Sequence, residues 1–92
     1  MKIYEKYVDK LRLYSKEQSE ARFAANQLLE LHQEASKRDK PIIVELGVDK
    51  GQSTRVFLNA IDDKTDAKLI SIDINDCKDA VQSENWDFIQ QN

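Results

Sequence analysis

The spacing of hydrophobic positions changes at Pro41 and divides the chain there. Before it, Ile3, Tyr4, Tyr7, Val8, Leu11 and Tyr14 recur at steps of three and four, which makes one apolar stripe along a helix. Ser15-Lys16-Glu17-Gln18 carries the serine and the glutamine three residues later that make up a capping box, so a second helix is expected to start there and run to about Lys37. Ala21, Ala24, Leu28, Leu31 and Ala35 form its predicted buried face, and Lys37 and Arg38 suit the dipole at its end. No glycine or proline interrupts the chain before Pro41, as two helices require. Both read as packing helices with solvated outer faces; the alternative for the Tyr-rich first one is a lid or a dimer contact. His32, the only histidine, falls among Leu28, Leu29 and Leu31 and reads as a packing residue.

After Pro41 the pattern becomes that of strands alternating with helices. Ile42-Ile43-Val44-Glu45-Leu46 is a short β-branched run of the kind that forms a strand buried on both faces. Gly47 to Gln52 reads as a turn, with Ser53 as N-cap of a helix that carries Val56, Phe57, Ala60 and Ile61 on one side. A polar loop, Asp62 to Asp66, precedes a second strand, Lys68 to Asp73. A short helix is expected over 76–84 and a third strand over Trp86-Asp87-Phe88-Ile89, with Trp86 in its core. The order ααβαβαβ argues for an α/β fold with a parallel sheet and right-handed crossovers.

Ninety-two residues allow one small domain with a thin core, not two domains or a whole barrel. Residues 1–40 form a helical segment of net charge +2 and residues 41–92 an αβ segment of net charge −5. There is no basic stripe for a phosphate backbone, so nucleic acid is not an expected partner. The longest apolar run, Pro41 to Val44, is far short of the roughly 20 residues of a membrane span, and the N-terminus lacks the apolar stretch of a signal peptide. A single cysteine, Cys77, suits a reducing compartment, and the expected location is cytoplasmic.

Chemistry concentrates at the carboxyl ends of the strands, where open parallel sheets bind ligands. Gly47 and Gly51 allow a turn and a close backbone approach, and the helix behind them presents free N–H groups. Asp73, 22 residues after Gly51, is placed to accept bonds from the two hydroxyls of a ribose. Competing motifs fail on spacing. A phosphate-binding P-loop needs four residues between its glycines and then a lysine; here three intervene and Gln52 follows. Asp49 stands where a dinucleotide fingerprint has its second glycine, and its charge would repel a pyrophosphate. Asp73 to Glu84 has the outline of a calcium loop, but Lys78 replaces its glycine and Cys77 is a poor ligand for a hard cation, so no metal site is expected. Cys77 is not read as a nucleophile. What remains is a nucleoside site that takes a neutral or positive group near the turn.

Val44-Glu45-Leu46-Gly47-x3-Gly51-x-Ser53-Thr54, followed by Ser71-Ile72-Asp73-Ile74, resembles the first motifs of class I S-adenosylmethionine-dependent methyltransferases. It is most similar to the small-molecule and sugar O-methyltransferases, whose turn reads E-L-G-x-x-x-G-x-S, and to cephalosporin-hydroxylase-type relatives that share it. The resemblance covers residues 41–90 and departs from the family at Asp49, where many members have glycine. It implies a Rossmann-like, doubly wound parallel sheet, of which this chain would supply the N-terminal part: two helices, then about three strands out of seven. Glu45 would then help hold the amino-acid end of S-adenosylmethionine. Gly47, Val48, Asp49, Gly51 and Ser53 would line its methionine part, Asp73 would bind the ribose, and Ile74 would flank the adenine. The implied activity is methyl transfer to a small molecule or sugar, with catalytic residues outside this chain. Two alternatives stand beside it: an assembly module that completes its sheet with another chain, for instance as a homodimer through an unpaired strand edge, and a piece of another Rossmann-like nucleotide-dependent enzyme. In-line transfer of this kind draws its rate mostly from positioning and desolvation.

Overall fold

A computed structural model describes residues 2–92. The elements are α1 (Glu5–Tyr14), α2 (Glu20–Lys37), β1 (Ile42–Leu46), α3 (Gln52–Ile61), β2 (Lys68–Asp73) and β3 (Trp86–Gln90). The strands form one parallel sheet in the order β1-β2-β3. Register pairs Glu45 with Ser71 and Leu46 with Ile72, then Ser71 with Phe88 and Ile72 with Ile89. The fold is α/β, two helices leading into a parallel sheet as at the start of a Rossmann-like fold.

α3 is the centre of the packing. Thr54, Val56, Leu58, Asn59, Ala60 and Ile61 are all buried, because α3 is enclosed by β2, α1 and α2. Leu58, Ala60 and Ile61 pack with Ala35, Ala67, Leu69 and Val81, while Val56 packs with Leu11 and Ala25. The helical segment and the sheet therefore share a core. Two polar networks tie it together. His32 donates from Nε2 to Asn59 Oδ1 at 2.6 Å, since the Asn59 amide nitrogen is spent on Ile3 O (2.7 Å) and Glu5 (2.9 Å). The second network centres on Glu45 and belongs to the site.

The structure corrects five local expectations. The second helix starts at Glu20 after Ser19, not at a capping box on Ser15; the Ser15 hydroxyl instead bonds back to Arg12 O at 2.7 Å and closes α1. Its inner face is turned from the predicted one. Ala25, Leu28, Leu29, His32 and Ala35 point inward, whereas Ala21, Ala24 and Leu31 are exposed. α3 is capped by Gly51 at φ 84°, with Ser53 inside its first turn.

Residues 76–84 form turns, not a helix, so β2 leads to β3 through an irregular connection. There three backbone donors are met by side chains: Asp76 accepts from Lys78 N, Ser83 from Asn85 N, and the Tyr4 hydroxyl from Gln82 N at 3.0 Å. Only Val81 is buried in the stretch, which leaves no apolar stripe for a helix to dock.

Nor is β1 buried on both faces. Ile42, Val44 and Leu46 are 71%, 60% and 81% exposed, because the helices cover only the face bearing Ile43, Glu45, Leu69 and Ser71. With no helix in the β2–β3 connection, nothing among the described residues crosses to the other side.

Candidate functional site

The site forms where the carboxyl ends of β1 and β2 meet the start of α3. Gly47 follows β1 at φ 90° and Gly51 precedes α3 at φ 84°, with Asp49 between them also at positive φ, 52°. Asp49 is one of the few residue types that adopt this conformation without the full penalty of a side chain, which accounts for an acid at this step. The two glycines are used differently. A Cβ on Gly47 would meet nothing within 4 Å, whereas one on Gly51 would lie 3.3 Å from Val81 Cγ1 and 3.6 Å from Ala80 Cβ. Gly47→Ala is therefore expected to cost about 1 kcal/mol of backbone strain, and Gly51→Ala about 2 kcal/mol once crowding is added. Parallel urea denaturation of the two variants measures that difference.

Asp73, at the end of β2, reaches this turn. Its Oδ2 accepts from Val48 N at 2.7 Å and Asp49 N at 3.2 Å, and its Oδ1 accepts from Asn75 N at 2.9 Å. These amide donors, Asn75 foremost and then Val48 and Asp49, hold the carboxyl well below its usual value, at about 2. Asp73 thus joins the turn to the strand end, with acceptor capacity left on Oδ1. Cys77 lies beside it, and burial followed by the Asp73 charge pushes its thiol up, the opposite of what a nucleophile needs.

Glu45 is placed differently from the other site residues. It is 7% exposed and its carboxylate accepts from three hydroxyls: Ser53 Oγ, Thr54 Oγ1 at 2.6 Å and Ser71 Oγ at 2.8 Å. Ser71 in turn accepts from Trp86 Nε1 at 2.9 Å. The Glu45 side chain is therefore spent inside the protein, fastening β1 to the first turn of α3 and to β2, while half-buried Ser53 keeps one side on the surface. A negative charge at a helix N-terminus is favourable, and the hydroxyls satisfy a carboxylate that burial would otherwise penalise.

Two hollows flank Gly47. One, of about 280 Å³, is lined by Leu46, Gly47, Ile72, Asp73, Ile74 and Gln91 and is mostly apolar. The other, of about 210 Å³, is lined by Leu28, Gly47, Val48, Asp49, Lys50 and the start of α3. Ile74 is 63% exposed beside the first. A larger hollow of about 790 Å³ lies near the opposite end of the sheet, between the end of α2 and the start of β1, away from Asp73.

Of the residues expected to bind S-adenosylmethionine, the structure brings Gly47, Val48, Asp49, Asp73 and Ile74 together around these two hollows. Ser53 lines the smaller hollow too, with its hydroxyl donated to Glu45, while Gly51 and the Glu45 side chain support the turn from behind. The donor set suits an adenosyl group: a carboxylate for a ribose, an apolar wall for a flat ring, open space over Gly47, and no side chain capping α3. The sequence reading missed three supporting residues. Arg55 donates to Lys50 O at 2.8 Å and Ala80 O at 3.2 Å, clamping the turn to the β2–β3 connection. Thr54 and Ser71 complete the Glu45 network. Ser71 was visible as the one polar residue within the run Leu69-Ile70-Ser71-Ile72, where a buried hydroxyl needs a partner. Among the described residues no cluster of His, Cys, Asp and Glu is arranged to hold a metal ion, and no helix is long and apolar enough to cross a membrane. No family model matches the chain, and comparison with curated proteins and with solved structures gives no match either.

Proposed function

We propose that this chain is the S-adenosylmethionine-binding part of a cytoplasmic methyltransferase that acts on a small molecule or a sugar. The observation that carries the reading is the meeting of Asp73 with the Gly47–Gly51 turn at the carboxyl end of the sheet, with hollows on both sides of Gly47. When bound, the cofactor supplies a methyl group made electrophilic by its sulfonium. Asp73 accepts the ribose hydroxyls through Oδ1, while its bonds to Val48 and Asp49 hold the turn in place. Leu46, Ile72 and Ile74 shield the adenine from water. Gly47 lets the chain run under the ligand without a Cβ in the way, and Asp49 favours a cationic tail over a phosphate. These residues bind and orient; none is assigned a catalytic role.

Calorimetric titration with S-adenosylhomocysteine tests this, alongside NAD as a pyrophosphate-bearing competitor. The expected result is binding of S-adenosylhomocysteine alone, abolished by Asp73→Ala and weakened several-fold by Ile74→Ala, whose exposed side chain is not needed for folding. Absence of binding by the folded chain, or preference for NAD, overturns the reading.

A further inference from the structure

We propose that residues 2–4 are a latch: docked along α3, they fix the second half of the glycine turn through Tyr4 and Arg55, and their release loosens it. The effect on ligand binding rests on the adenosyl reading of that turn; the effect on the turn itself does not. The latch begins at the far end of α3. Ile3 N donates to Asp62 Oδ2, Ile3 O accepts from Asn59 Nδ2 at 2.7 Å, and Lys2 Nζ lies 3.8 Å from Asp63. Tyr4 then turns into α1 at φ 57°. Its ring packs against the core, and its hydroxyl accepts from Gln82 N at 3.0 Å. The Arg55 guanidinium sits over that ring, 5.9 Å from its centre, within reach of a cation–π contact.

Arg55 connects the ring to the turn. Its Nη1 donates to Lys50 O at 2.8 Å and its Nη2 to Ala80 O at 3.2 Å. Lys50 O belongs to the same planar peptide as Gly51 N, and Gly51 N donates to Val48 O at 2.8 Å. Fixing the carbonyl therefore fixes the direction of the amide that closes the turn. The β2–β3 connection acts with it. Tyr4 holds Gln82, Arg55 holds Ala80, and Val81 between them crowds the place that a Gly51 side chain would take. Asp73 holds the other half of the turn, at Val48 and Asp49. Each half has its own clamp, one from β2 and one from the residues ahead of α1.

Docking carries costs that an ordinary packed segment does not. A tyrosine rarely adopts φ 57°, and release relieves that strain. Asp62, the anchor of Ile3, keeps its Oδ1 buried with no hydrogen-bond partner among the described residues. The body of α1 is anchored separately, by buried Val8 and Leu11, the latter against Ala25 and Val56. Residues 2–4 therefore have a released state within reach that leaves α1 in place. A ligand that needs the ordered turn favours the docked latch, and by linkage docking raises the affinity for that ligand by the same factor. Tyr4 and Arg55 are positioning residues in this sense, acting on the ligand only through the turn.

Hydrogen exchange read by NMR on the ligand-free chain tests the coupling. In Tyr4→Ala the Gln82 and Gly51 amides are expected to exchange about tenfold faster, while Val48, Asp49 and the amides of α2 keep their protection. Tyr4→Phe keeps the ring under Arg55, so it is expected to free Gln82 and leave Gly51 protected. A Gly51 amide unchanged in Tyr4→Ala reduces Tyr4 to a local staple of the connection and overturns the proposal. Protection lost throughout α2 marks Tyr4 as a core residue and overturns it too. Equal effects of the two variants at Gly51 overturn the route through Arg55. Titration with S-adenosylhomocysteine reads the consequence: binding several-fold weaker in Tyr4→Ala and close to wild type in Tyr4→Phe. Full affinity in a Tyr4→Ala chain whose Gly51 amide is freed overturns the link to binding. A wild type that does not bind overturns the adenosyl reading alone, and exchange at Gly51 still decides the latch.

Discussion

Glu45→Ala is expected to destabilise the fold by about 3 kcal/mol, a large part of the roughly 5–14 kcal/mol that holds a chain of this size together. The carboxylate is the shared acceptor of Ser53, Thr54 and Ser71, in a position that is 7% exposed. Its removal strands three hydroxyls, each costing on the order of 1–3 kcal/mol if it finds no other partner. Hydroxyls can rotate and Ser71 keeps its bond from Trp86, so the total falls below the sum of three full penalties. Glu45→Gln keeps one acceptor oxygen and is expected to lose about half as much. Urea denaturation of the two variants separates a bonding role from one of charge alone. Equal losses would mean that the charge at the start of α3, not the count of acceptor oxygens, stabilises this corner.

Acidification is expected to loosen the glycine turn in a narrow range. Asp73 titrates at about 2 when folded, against an ordinary value of 3.8. A carboxyl whose folded value is depressed adds stability that is fully present above the unfolded value and is lost as pH falls through the folded one. The contribution is therefore intact above about pH 4 and gone below about pH 2. Hydrogen exchange read by NMR at Val48 and Asp49 follows it directly, since both amides donate to Asp73 Oδ2. In Asp73→Ala both amides are expected to exchange freely at every pH, and the acid-dependent change at the turn to disappear. Protection that persists in the variant would show that Gly47 and Gly51 shape the turn unaided.

The parts of this arrangement legible in the sequence are those with local causes. β-branched runs marked β1 and β2 because short apolar stretches bounded by polar turns have few other uses. The two glycines and Asp73 stood out by spacing, and the structure joins them in one cluster. The failures have physical reasons too. A serine with a glutamine three residues on fits a capping box, but Ser15 found a nearer acceptor in Arg12 O. Residues 76–84 contain helix-compatible residues, yet the Lys78 and Gln82 amides are met by Asp76 and by Tyr4, one local and one brought from the other end of the chain. The inward face of α2 was misread because alanines and leucines lie nearly all around it, and Phe23, the largest apolar residue of its first turns, is 65% exposed.

The sequence by itself determined the two leading helices, the parallel α/β order and the positions of the turn and of Asp73. Each follows from residue spacing, and spacing acts over a few neighbours. Only the tertiary structure decided that buried Glu45 gathers the hydroxyls of Ser53, Thr54 and Ser71 and that Arg55 clamps the turn. It also decided that one face of the sheet stays open along β1. Those outcomes depend on which side of the sheet each helix takes, a choice made by packing between segments far apart in the chain.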